Sequence, residues 1–319
     1  MSERSIHHQP ENTVIAFLLA IAGMSAFTPI FAAGKLADGA LPLAVLVWLR
    51  FLGGAVTILS VAAVRRSPAF LRPSSHWKLH LLRAFCGVGG LGCTIYAASV
   101  LPLADATAIG LTKGIFAIAL AGLILKEVVT GHHWVAGGLC ALGAFLVVTA
   151  AESGGGSSRE LVLPGVAAAL LGAVFMASEA LIMRFVAQRE HTITILAHVN
   201  VIAAVLLTGP VIWVIVSHGV AWKDLLGFAW MGPLAILGQS LNLSAYRRAG
   251  AATLAPVFYG TVLLSAAFGY VVWGEIPAPV AVAGAVLIVA GGAVLTVPRA
   301  ALRQVVSLFT RKGRLWSRR

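Results

Sequence analysis

The sequence predicts an all-α polytopic membrane protein: ten transmembrane helices arranged as a 5+5 inverted repeat. Composition, ten apolar segments of bilayer length and the sidedness of the basic residues predict it. Of 319 residues, 59% are hydrophobic and 11% charged, with 34 glycines besides. Mean hydropathy is +0.94. Soluble domains carry nearer a quarter charged residues. A chain this long folding in water would have to hide more apolar surface than its core could hold.

A bilayer core needs about 20 apolar residues per helix. Ten segments meet that length: 12–33, 40–63, 77–99, 104–125, 131–151, 164–187, 192–217, 225–246, 251–273 and 277–297. Residues 1–11 are polar and lead into a full-length span, so no cleaved signal peptide is expected. Pro42, Pro68, Pro73, Pro102, Pro164, Gly250, Pro277 and Pro279 punctuate the segments. The linker 152–163 contains Ser153 and Gly154 through Ser158 and falls at the midpoint. Residues 298–319 form a basic tail expected on the cytoplasmic side, where its cations meet anionic lipid.

The charges test the count. With the N-terminus inside, 18 of the 23 Lys and Arg fall on the cytoplasmic side, seven of them from Arg299 onward. The outer side holds three (Lys35, Arg159 and Lys223), and Arg50 and Lys113 lie within spans. Such asymmetry sets orientation. A missed helix would have moved every later loop to the other side. The same clustering argues against nucleic acid as a partner for a chain with net charge +12.

Residues 101–127 align with 249–275 at an offset of 148, pairing Glu127 with Glu275. The following spans align at 147, pairing Gly137 with Gly284 and Thr149 with Thr296. Because five is odd, the second half enters the membrane in the opposite sense. Inverted repeats are associated with alternating access around a midplane site.

Ionisable residues in mid-membrane are functional candidates by default. Lys113 is too deep to reach the interface and could meet a substrate carboxylate or phosphate, or form an ion pair with Glu179 that serves folding. Arg50 could bind substrate or brace its helix. Glu179 is a candidate proton carrier, because burial would raise its pKa, or a paired structural carboxylate. His198 lies in a span near Asn200, but the two point to different faces, and it is a second candidate for proton coupling. Gln239, Asn242 and Tyr246 fall at i, i+3 and i+7, hence on one helix face. Amides there suit a zwitterion, and suit interhelical contacts equally. His76 and His80 have metal-ligand spacing without an evident acidic or Cys partner, so no metal site is expected. The three cysteines lie in apolar stretches and read as packing residues.

With Leu101-Pro102-Leu103-Ala104-Asp105 leading to Glu127, with Ala245-Tyr246-Arg247, with Pro256 and Tyr259, and with Gly274-Glu275-Ile276-Pro277, the chain resembles the drug/metabolite transporter superfamily in its EamA-type branch. The resemblance covers 12–297, as one repeat at 12–151 and a second at 164–297. It implies ten helices, both termini cytoplasmic, and a cavity lined by the first four helices of each repeat. It places the fifth helices, 131–151 and 277–297, at the periphery, where they could form a homodimer contact. Tyr259 joins the candidate substrate contacts through the family's Pro-x-x-Tyr pattern. Relatives often carry Pro after the residue matching Lys113; here it is Gly114, a softer helix break. The substrate class implied is a small polar organic metabolite such as an amino acid or S-adenosylmethionine, moved across the inner (plasma) membrane of a bacterium. No cofactor is expected. An intramembrane enzyme is the first alternative, but Asp38, Asp105 and Asp224 all fall at predicted outer ends, and hydrolase, zinc-protease and P-loop motifs are absent. A non-transporting scaffold is the other; it would not need Lys113, Arg50 or Glu179 in mid-membrane.

Overall fold

A computed structural model describes residues 10–64, 74, 76–125, 131–153, 159–187, 190–246, 248, 254 and 257–296. Among them every regular element is helical. These are α1 Pro10–Phe31, α2 Ala33–Ala37, α3 Leu43–Val64, α4 Trp77–Val100, α5 Leu103–Gly110, α6 Lys113–Leu125, α7 Gly131–Ser153, α8 Arg159–Ala187, α9 Thr192–His218, α10 Trp222–Gly227, α11 Met231–Tyr246, α12 Thr261–Trp273 and α13 Pro279–Thr296. Six stretches in the described residues are long and apolar enough to cross a bilayer, and Trp134–Val147, Val257–Trp273 and Pro279–Gly292 are shorter apolar helices. Phe85, Phe145, Trp213 and Val271 lie on the exterior, each more than half exposed. Water would not tolerate so many. For lipid tails they are ordinary neighbours.

The helix breaks follow local chemistry. Leu101 is extended (φ −111°, ψ 160°) because Pro102 follows it, and α5 starts there. The span expected over 104–125 is not continuous: α5 stops at Gly110 and α6 starts at Lys113. Between them the chain tightens to i→i−3 bonding, with Thr112 N–H donating to the Ile109 carbonyl at 3.0 Å and Gly114 N–H to Leu111 at 3.2 Å. A second break falls at Gly260, whose N–H donates to the Val257 carbonyl at 2.9 Å. Thr112 and Gly260 are 148 residues apart, the offset found in the sequence. At each break a threonine hydroxyl takes up a carbonyl: Thr112 donates to Ile109 at 2.7 Å and Thr261 to Phe258 at 2.6 Å.

The linker is shorter than expected. α7 runs through Ser153 and α8 starts at Arg159, placing Pro164 inside a helix. That proline forgoes the bond to the Glu160 carbonyl, close to a helix start where unpaired groups are normal.

Small residues let the helices meet. α7 and α13 pack most extensively. A methyl group on Gly143 would lie 2.5 Å from the Gly284 carbonyl oxygen, and one on Gly284 would lie 2.6 Å from that of Gly143. α4 packs on α8, α1 on α11, and α3 on both α9 and α11. These helices, with α5, α6 and α12, surround a central space that α7 and α13 do not reach.

Candidate binding cavity

A cavity of about 460 Å³ lies between α1, α3, α4, α5, α6, α8, α9 and α11, and the residues around the Gly260 break. Its volume is that of a small-metabolite site. Met24, Phe27, Phe31, Phe51, Leu91 and Met176 supply apolar wall, with Arg50, Thr94, Thr107, Lys113, Glu179, Gln239 and Asn242 among them.

Lys113 is the first residue after the α5–α6 break, and its side chain is exposed to the cavity. It forms no hydrogen bond or ion pair with any described residue. Glu179 pairs instead with Arg83 of α4, Nη2 to Oε1 at 3.3 Å. Gly87, one turn along α4, lies against the carboxylate, a methyl there standing 3.7 Å from Glu179 Oε2 in ordinary contact. Arg50 is 5% exposed, donates from Nη1 to Asn200 Oδ1 at 2.7 Å, and lies over the Phe51 ring. Asn200 in turn donates to the Leu196 carbonyl at 2.7 Å. Arg50 therefore both borders the cavity and braces α3 against α9.

Gln239 and Asn242 face the cavity from α11, and their Oε1 and Oδ1 atoms are buried without a hydrogen-bond partner. Asn242 lies on Gly23 of α1, where a methyl group would overlap its Oδ1. Tyr259 borders the cavity, but its hydroxyl end packs on Gly292 of α13. The Tyr246 side chain and Pro256 lie outside the described residues, as does the tail 298–319. His198 does not line the cavity. Its Nδ1 is 2.8 Å from the Thr194 carbonyl and its ring stacks on His80. Val199, between His198 and Asn200, meets the cavity instead.

Two polar clusters stand at opposite ends of the bundle. At the end expected to face outward, Lys35 forms an ion pair with Glu275 and lies 5.0 Å from the Trp273 ring centroid. Glu275 also accepts from the Leu103 N–H at 3.0 Å, capping α5. Gly274, at φ 68°, turns the chain so that Glu275 folds back over α12. Burial pulls the Lys35 ammonium below its ordinary pKa. At the other end Glu190 meets His80 at 2.9 Å, His76 at 3.4 Å and the Ser74 hydroxyl. The sequence showed no acidic partner for the two histidines; the fold supplies one from 110 residues away. Burial pushes the Glu190 carboxyl up, but bonds from Ser74, His80 and His76 outweigh it and hold the pKa below the ordinary value.

Arg83, Glu190 and Lys35 do not stand out in the sequence as site residues. Glu275 is marked there by its repeat pairing with Glu127 and by the Gly274-Glu275-Ile276-Pro277 element, and Lys35 and Glu275 both fall at predicted outer ends.

The EamA-like transporter family model matches twice, over residues 13–149 and 163–297. The pseudopaline exporter CntI of Pseudomonas aeruginosa, in strains UCBPP-PA14 and PAO1, is 28% identical over 276 residues, covering 85% of this chain and 92% of the exporter. A solved structure described as the crystal structure of a protein aligns with TM-score 0.57 at 19% identity, covering 93% of this chain and 99% of that one. That last likeness concerns the fold alone. The chain is an integral membrane protein and belongs to the EamA-like transporter family.

Proposed function

We propose that the chain is a secondary transporter that carries a small polar organic metabolite, such as an amino acid, S-adenosylmethionine or a relative of these, across a bacterial inner membrane by alternating access. In this reading ten spans form a 5+5 inverted repeat, 12–151 and 164–297, with both termini in the cytoplasm. The observation that carries it is the cavity: it draws on helices of both halves and is lined by Lys113, Gln239 and Asn242 among apolar side chains. A few polar groups set in an apolar wall are what orients a small polar solute. A scaffold would have no use for such a space.

Two further facts support the repeat reading. The family model matches each half separately, and the two helix breaks keep the 148-residue offset. Discontinuous helices at matching places in two halves accompany substrate sites in inverted-repeat transporters. The Lys35–Glu275 clamp and the Glu190 cluster are then the contacts that open and close the two ends in turn. Export is the direction we favour, because the relatives CntI are named as exporters. Lys113, Arg50, Gln239, Asn242, Tyr246 and Tyr259 are the substrate contacts in this reading, with Glu179 and His198 as proton-coupling candidates. Outward faces of α7 and α13, carrying Phe145 and Val286, are free for lipid or a second copy.

A proteoliposome uptake screen over amino acids, S-adenosylmethionine, nucleosides and vitamins, with and without a pH gradient, tests this. The reading expects saturable uptake of a narrow solute group. Uptake equal to that of empty vesicles for every solute would contradict it.

A further inference from the structure

The cavity lining is net positive. Glu179 pairs with Arg83 and also interacts electrostatically with Arg50 and Lys113; Arg83 in turn acts on Arg50. Three cations thus share one carboxylate. The Asn200 amide bonded to Arg50 is neutral and compensates no charge. Arg83 is 4% exposed, and its Nε and Nη1 have no hydrogen-bond partner. Asp105, buried in α5, borders no part of the cavity. The charged residues lining the cavity, Arg50, Lys113 and Glu179, sum to +1, and Arg83, which pairs with Glu179 from outside the lining, brings the cluster to +2.

Uncompensated charge in mid-membrane is costly, and a buried cation without a partner costs more than a paired one. The missing negative charge belongs to whatever fills the space. The Gln239 and Asn242 amides, which line the same cavity, can donate to or accept from a polar end of the same molecule.

Resting on the transporter reading above, we propose that the substrate is a net anion with carboxylates in excess of amino groups, a dianionic form binding best, and that Arg83 is a specificity-determining residue acting through Glu179. Lys113 and Arg50 face the carboxylates, while Gln239 and Asn242 take the amino or hydroxyl end. Neutral amino acids fit less well. S-Adenosylmethionine, whose sulfonium and ammonium outnumber its carboxylate, fits least.

The experiment measures substrate-induced thermal shifts of the purified full chain in nanodiscs. The probes are L-glutamate against L-glutamine, L-aspartate against L-asparagine, and S-adenosylmethionine, at millimolar concentration and equal ionic strength. Stabilisation by the acidic member of each pair, and not by its amide, is expected. Lys113→Gln should weaken binding of the acidic probes by about tenfold or more, because it removes one cation that faces their carboxylates. Glu179→Gln should strengthen it, because it raises the site to +3. A purely structural carboxylate would not give opposite signs in the two variants. Arg83→Lys, which keeps the charge and the fold, should retain the preference, and Arg83→Gln should narrow it. The inference is overturned if neither acidic probe shifts the protein, if amides or S-adenosylmethionine shift it more, or if Glu179→Gln and Lys113→Gln weaken binding alike. Saturable, Lys113-dependent uptake of a neutral or cationic solute would overturn it too, while leaving the transporter reading in place. Absence of all uptake would instead remove that reading.

Discussion

The α7–α13 pair and the helices around the cavity are built from equally apolar sequence, yet they use polarity in opposite ways. In α7 and α13 the contact is backbone on backbone, through Gly143 and Gly284. The polar bond described there is weak, Cys140 Sγ to the Ile288 carbonyl at 3.4 Å. Around the cavity, Lys113 forms no hydrogen bond or ion pair with a described residue, and Gln239 Oε1 and Asn242 Oδ1 are buried without a hydrogen-bond partner. One region closes its surface on backbone; the other sets polar side chains around an open space. If that space is the proposed binding site, substitutions should separate packing from recognition.

The largest expected effect is at Lys113. Lys113→Ala should abolish transport while membrane insertion and the size-exclusion profile stay unchanged, because the side chain forms no hydrogen bond or ion pair with a described residue. Normal transport, or failure to fold, would undo the assignment. Gly284→Val should do the reverse. The added Cβ alone would lie 2.6 Å from the Gly143 carbonyl oxygen and 2.9 Å from Val147 Cγ2, before valine's two methyl groups are counted, and overpacking costs about 1–3 kcal/mol or more. The melting temperature should fall, while transport per folded molecule holds. A change of substrate affinity in Gly284→Val would join the two regions that the structure keeps apart.

Gln239→Leu and Asn242→Leu should be gentler, weakening affinity by about tenfold or less, or altering preference among related substrates, since each removes about one hydrogen bond. Unchanged kinetics would make the α11 stripe interhelical contact. The smallest effect is pH-dependent. The Glu190 carboxyl has a native pKa below its unfolded value of about 4.3, so its stabilisation is fully present above that value. It is lost as pH falls through the lower native value. Wild-type and Glu190→Gln proteins should therefore differ in melting temperature at pH 6–7, and the difference should shrink progressively as pH falls below about 4. A difference that does not shrink on acidification would assign the stabilisation to something other than ionised Glu190.

The bilayer makes much of this fold readable, because it forces every span to be long, apolar and helical. The proline and glycine punctuation and the 148-residue offset are local signals, and the breaks at Thr112 and Gly260 keep that offset. That α5–α6 is broken before Lys113 was less legible, with only Gly110 and Gly114 to mark it. Charge pairing was hidden. Glu179 could have met Lys113 or another cation, and helix packing, not spacing, delivers it to Arg83. Glu190 likewise reaches His76 and His80 only because the α8–α9 turn lies against the start of α4. His198 read as a proton-coupling candidate from its depth in the span; the rotation of α9 turns Val199, not His198, to the cavity.

The central claim is that a solute occupies the space between the two halves and is exposed to each side in turn. Asn242→Cys, with Cys86, Cys93 and Cys140 replaced, tests it directly in oriented vesicles with a membrane-impermeant maleimide. The account predicts labelling from both sides, with substrate protecting against it and shifting the balance between sides. A cysteine at this position that no aqueous maleimide reaches from either side, with or without substrate, would contradict it.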